Sequence, residues 1–122
     1  MSFVCVECKR PLLTISHSIE LGSDGRDDEY SLQTVTCKGC GITCVATYRE
    51  SRRGASDSWE HLAYKMTEKA YKQLVSQLHA CPEPKKHKCT CDAHTKFKVY
   101  ERGYLNPLSK IVHDAAFFHL KL

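Results

Sequence analysis

The sequence predicts an α+β fold: a small antiparallel sheet packed by one long amphipathic helix, then a second Cys/His cluster and a C-terminal helix or strand. Three observations predict it. Two Cys-x-x-Cys pairs, Cys5/Cys8 and Cys37/Cys40, are separated by a stretch with strand-like alternation. From Asp57 the apolar residues recur at spacings of three and four, which is a helical period. Cys81, Cys89, Cys91 and His94 then gather beyond the end of that helical pattern.

In chain order, each Cys-x-x-Cys pair can wrap a tight turn around one side of a metal ion. The glycine after the second pair, Gly41, relaxes the φ restriction where the backbone must curl toward the sulfurs; the first pair has Lys9 at the corresponding place. Residues 12–21 alternate, with Leu13, Ile15, His17, Ile19 and Leu21 on one face of a half-buried strand. His17 on that face reads more readily as a hydrogen-bonded histidine at the core edge than as a ligand. Gly22 to Glu29 is acidic and carries two glycines, as a surface turn does. Strands over Tyr30–Thr36 and Ile42–Arg49 follow. Cys44 lies in the last of these and reads as a small buried hydrophobe, since no cation is fixed beside it in sequence to lower its pKa.

Residues 1–49 resemble a zinc ribbon, in which two metal-binding knuckles sit at one end of a small antiparallel sheet. The resemblance covers about 40% of the chain. It implies Cys5, Cys8, Cys37 and Cys40 as ligands, and a scaffold rather than an activity, because ribbons serve transcription, translation, nuclease and adaptor proteins alike. Zinc suits four thiolates at about 2.3 Å. Iron in a rubredoxin-like site is the alternative for the same ligands.

Beyond the ribbon, Arg49, Arg52 and Arg53 cluster in a link that can grip phosphate or simply be solvated. The helix is expected over 57–80, capped by Asp57 with Glu60 as reciprocal partner, ended by Pro82 and Pro84, with Trp59 and Met66 as core anchors. Cys81, Cys89, Cys91 and His94 form a second expected ligand set, with His87 as the alternative imidazole; a metal here would pin the helix end to the segment after it. The set has four donors, as structural sites do, whereas a catalytic zinc keeps an open position.

A strand is expected over Lys96–Glu101, and Asn106-Pro107 is a helix start that predicts a helix over 107–119, with Phe117–Leu122 equally able to alternate as a strand. The whole, 1–122, reads as a single metal-stabilised domain with parts at 1–49, 57–80, 81–94 and 95–122.

The formal net charge is +4. Two zinc ions held by seven thiolates and one histidine would bring it to about +1, so global charge selects no partner. Its distribution is uneven: four basic and six acidic residues over 1–48, against seven and three over 82–110. Lys85, Lys86 and Lys88, with Phe97, Tyr100 and Tyr104 nearby, are candidates for single-stranded nucleic acid. The sequence contains no phosphate-cradling glycine loop, no His-Glu-x-x-His, no Gly-x-Ser-x-Gly and no deaminase Pro-Cys-x-x-Cys. The expectation is a non-enzymatic zinc protein, with two ions per chain, that binds a protein partner. Nucleic acid is the second partner class, a metal-dependent hydrolase or nuclease a less favoured one, and a homodimer is compatible with the apolar C-terminal end. Cysteine pairs without a signal peptide or an apolar span are expected in the reducing cytoplasm, away from membrane.

Overall fold

A computed structural model describes residues 2–23, 28–51, 58–101, 104–110 and 117–121. Strands β1 (Leu13–Ser23), β2 (Glu29–Cys37), β3 (Thr43–Ser51) and β4 (Ser58–Met66) form an antiparallel meander. Helix α1 (Glu68–His79) and the short helix α2 (Asp92–Phe97) follow, then β5 (Tyr100–Glu101) paired with β6 (Tyr104–Leu105), a 3₁₀ turn at Pro107–Lys110, and β7 (Phe117–His119). The main sheet has the order β1-β2-β3-β4-β7, so the fold is α+β.

The sheet buries both faces unequally. On one, Ile19, Leu21, Tyr30, Leu32 and Val45 pack against Leu74 and Leu78 of α1 and Phe97 of α2. On the other, Leu13, Val35, Cys44, Ala46 and Ala63 pack with Phe3 and Leu120. No helix covers this second face among the described residues. Instead the chain ends cross it: Phe3 pairs with Leu13, the Val4 N–H donates to Lys121 O (2.7 Å) and the Leu120 N–H to His61 O (2.9 Å). Cys44, Ala46 and Ala63 are fully buried beneath them.

Three expectations are corrected. The helix expected over 57–80 is a strand and a shorter helix, β4 then α1. β4 lies inside the sheet, between β3 and β7, and is apolar on both faces: Tyr64 and Met66 pack on the helix side, Ala63 on the other. A strand that carries apolar residues on both faces loses its polar alternation and mimics a helical period. The helix begins instead at Thr67, whose side-chain oxygen accepts the Ala70 N–H (3.2 Å). Asp57, the expected cap, lies outside the described residues, and Trp59, expected as a core anchor, is 71% exposed.

The strand expected over Lys96–Glu101 begins as the end of α2, and only Tyr100–Glu101 pair as strand. Of the two readings of the C-terminal end, the helix over 107–119 is a 3₁₀ turn at Pro107–Lys110, and residues 111–116 lie outside the described residues. The strand alternative is met where Phe117, Phe118 and His119 pair with Tyr64, Ala63 and Leu62. His113 and Asp114 lie outside the described residues.

β1 does not keep one face either. Its register with β2 slips between Ile15 and His17, and an extra residue reverses which side faces which way. Leu13 therefore points to the second face, while Ile19 and Leu21 point to the helices. His17 is half-buried at that bulge, edge-on to His79 (centroids 5.7 Å), with Nδ1 buried and unpartnered.

Candidate metal centres

Two groups of four donors stand out among the described residues: Cys5, Cys8, Cys37 and Cys40, and Cys81, Cys89, Cys91 and His94. Within each, the donor atoms lie within 4.8 Å of one another. These are the two quartets that the sequence spacing singles out.

The first is built from two matching turns. In one, the Lys9 N–H donates to Cys5 O (3.0 Å) and the Glu7 N–H points at Cys5 Sγ (3.4 Å). In the other, the Gly41 N–H donates to Cys37 O (3.1 Å) and the Gly39 N–H points at Cys37 Sγ (3.3 Å). Both turns close through a left-handed residue, Gly41 at φ 81° and Lys9 at φ 64°. Lys9 thus adopts the backbone that glycine takes in the second turn. Gly39 lies under two flexible side-chain ends: a Cβ there would stand 2.7 Å from the Arg10 guanidinium and 2.8 Å from Leu12, so both would have to shift. The β1–β2 pairing of Leu13 with Cys37 then sets the turns face to face.

Across the turns, Cys5 Sγ is 3.6 Å from Cys40 Sγ and Cys8 Sγ is 3.7 Å from Cys37 Sγ. A tetrahedral ion with sulfurs at about 2.3 Å has S···S edges of about 3.8 Å, whereas a disulfide would bring them to about 2.05 Å. The cluster therefore has the dimensions of a metal site.

The second centre has the same dimensions. Cys81 Sγ is 3.8 Å from Cys89 Sγ, and His94 Nδ1 is 3.3 Å from Cys81 Sγ and 3.2 Å from Cys91 Sγ. Cys81 arrives from the end of α1, and Cys91 is the residue before α2, where its sulfur accepts the His94 N–H (3.5 Å) as a helix cap. His94 is fully buried, and its other nitrogen, Nε2, donates to the carbonyl of Glu20 in β1 (2.8 Å). That bond fixes the tautomer that leaves Nδ1 free for a metal, the usual support of a ligating imidazole. The Glu20 N–H in turn donates to Pro84 O (2.7 Å), so the loop of the second centre covers the outer edge of β1.

Electrostatics point the same way. The Arg10 backbone N–H, against the opposing effect of burial, holds the Cys8 thiol down at about 6. Burial opposes ionisation of Cys37, but the N–H groups of Cys40 and Gly39 outweigh it and lower its pKa. The Ile42 N–H favours the Cys40 thiolate, yet burial and the adjoining thiols push that group up to about 11. In the second cluster burial opposes the Cys91 thiolate, but the His94 N–H and imidazole bring it to about 6, while burial and Cys91 push Cys81 up to about 11. Each cluster thus favours ionisation at some thiols, Cys8 and Cys37 in the first and Cys91 in the second, and resists it at another, because anionic sulfurs this close repel. A divalent cation removes that conflict.

Other candidates separate from these centres. His87 is exposed, packs on Gly22 and belongs to neither quartet. Cys44 is fully buried beside the first centre, and burial pushes its pKa up to about 12. Arg49 lies between Asp28 (3.2 Å) and Glu60 (3.7 Å), bridging strands rather than standing free. Arg52 and Arg53 lie outside the described residues. Lys85, Lys86 and Lys88 are all exposed, Lys86 near Glu83 (3.6 Å).

One grouping was not signalled by the sequence. Gln33, Tyr48, Trp59 and His61, from three strands, meet Phe3 and Lys121 around a concave pocket of about 540 Å³ on the helix-free face. Strand alternation would have placed them together only once β4 was known to be a strand.

No helix among the described residues is long and apolar enough to cross a membrane. Comparison with protein-family models, curated proteins and solved structures yields no match. The geometry of the two donor sets is consistent with ribbon-like metal sites, and together they are positioned to hold two metal ions.

Proposed function

We propose that this protein is a non-enzymatic binding module held together by two structural zinc ions. The observation that carries this reading is that each quartet supplies four protein donors at tetrahedral spacing, in the Cys₄ and Cys₃His combinations that zinc favours in structural sites. A catalytic zinc needs a vacant position for water, and four protein ligands leave none. The ions supply folding free energy and hold surfaces in place. A protein partner is the first expectation, met by exposed apolar residues such as Val4 and Phe117. Single-stranded nucleic acid is the second reading, favoured by the exposed lysines of the second-centre loop.

Cobalt substitution tests the structural role. Cobalt in closed thiolate tetrahedra gives intense visible bands that stay unchanged when cyanide or imidazole is added. Bands that shift with the added ligand would identify an open site and overturn the structural assignment.

A further inference from the structure

The pocket on the helix-free face combines three features. Trp59 offers a ring that is 71% exposed, while Phe3 and Tyr48 hold the His61 imidazole edge-on from two sides, with centroids at 5.2 and 5.3 Å and interplanar angles of 87° and 80°. Gln33, only 8% exposed, accepts from His61 Nε2 at 2.6 Å. Burial lowers the His61 pKa to about 4, so the ring is neutral at pH 7. Its one proton is then on Nε2, given to Gln33 Oε1; Nδ1 is left as an acceptor and the Gln33 amide nitrogen as a donor of two hydrogens. Lys121 lines the same pocket, is exposed, and has no carboxylate partner among the described residues.

We propose that this pocket binds a nucleobase, stacked on Trp59, read at its edge by Gln33 and His61, with its phosphate toward Lys121. The volume, about 540 Å³, lies within the usual range for small-ligand pockets. An aromatic peptide side chain would use the rings equally well, but it has no edge of alternating donors and acceptors. It would offer neither an acceptor to the Gln33 amide nor a donor to the imidazole nitrogen. A base satisfies both, since an adenine edge sets an acceptor beside an amino donor. The base can belong to a free nucleotide or to a single strand. In the second case the inference deepens the nucleic-acid reading of the proposed function and rests on it.

Trp59 is the sole tryptophan of the chain, so its emission reports on the pocket directly. Wild-type protein of measured zinc content is titrated with the four nucleoside monophosphates, then with single-stranded oligonucleotides, and with an aromatic peptide as the competing occupant. Saturable quenching by a nucleotide or an oligonucleotide is expected. Binding of both points to a base pocket sufficient in itself, and binding of the oligonucleotide alone points to a strand. By calorimetry, Trp59→Ala should weaken binding about 5- to 150-fold, as loss of one stacked base does. Gln33→Ala should weaken it about tenfold and level the preference among bases. Absence of binding by fully zinc-loaded protein overturns the inference and leaves the two-zinc module standing, as does binding of the peptide alone. Binding that is indifferent to both substitutions also overturns it.

Discussion

The two metal centres have similar dimensions and opposite construction. The first is symmetric and lies on the sheet: two matching turns, each with its own amide-to-sulfur and closing hydrogen bonds, brought together by the β1–β2 register. The second is asymmetric and lies between elements. Its ligands come from a helix end, a loop of little regular structure and the first turn of a six-residue helix. Backbone pairing would hold the first set of ligands near one another without an ion. At the second, a bound ion would take the place of secondary structure, since α2 is too short to persist alone.

This difference predicts how the molecule fails when metal is withdrawn, and that is the largest effect expected. Binding of a structural zinc ion in finger peptides is worth about 10–16 kcal/mol, comparable to the whole stability of a small domain. Hydrogen exchange during partial chelation should show amides of residues 80–98 losing protection first, while the ladder between β2 and β3 remains protected. Simultaneous loss in both regions would show that the sheet depends on its ion as heavily as the loop does.

His94 sharpens the comparison, because it is both a candidate ligand and the tie to β1. His94→Ala should lower the zinc content from two ions to one. His94→Cys keeps four donors and should retain both ions, but it loses the bond to Glu20 O. A cost of about 1 kcal/mol in stability is expected from that loss, read by denaturant unfolding at fixed zinc. If His94→Cys behaves like His94→Ala, the imidazole has a role beyond donation to the metal.

Cys44 marks the boundary of the first centre. Cys44→Ala should leave two ions in place and cost about 1 kcal/mol, as deletion of a small buried group does. Cys44→Ser should cost more, up to about 3 kcal/mol, by placing a hydroxyl in an apolar site. Loss of zinc in either variant would make Cys44 part of the centre.

The smallest effect concerns the match between the two turns. Lys9 sits at φ 64°, where Gly41 sits at 81°. Lys9→Gly relieves a left-handed side-chain residue and should stabilise the folded protein by up to about 1 kcal/mol, while Gly41→Ala should destabilise it by a similar amount. Equal and negligible shifts for both would show that the turns do not feel their backbone strain.

Legibility in the sequence follows the same division. Both donor quartets could be read, because chelation imposes short, fixed spacings on residue types with few other uses. The strands β1 to β3 could be read from alternation, although the bulge at His17 could not, and it reversed the facing of Ile19 and Leu21 relative to Leu13. β4 was hidden because a strand apolar on both faces resembles a helix, which in turn hid the pocket around Trp59 and His61. α2 was hidden because its cap is Cys91, a metal-ligand type of residue rather than a Ser, Thr, Asp or Asn.

That two metal ions, both zinc, close the two quartets is tested most directly by native mass spectrometry beside elemental analysis. The predicted result is one species carrying two zinc ions per chain, with all eight cysteines free to alkylate once the protein is denatured and the metal chelated. A single ion, iron in place of zinc, or a metal-free chain lighter by two hydrogens for each disulfide would contradict it.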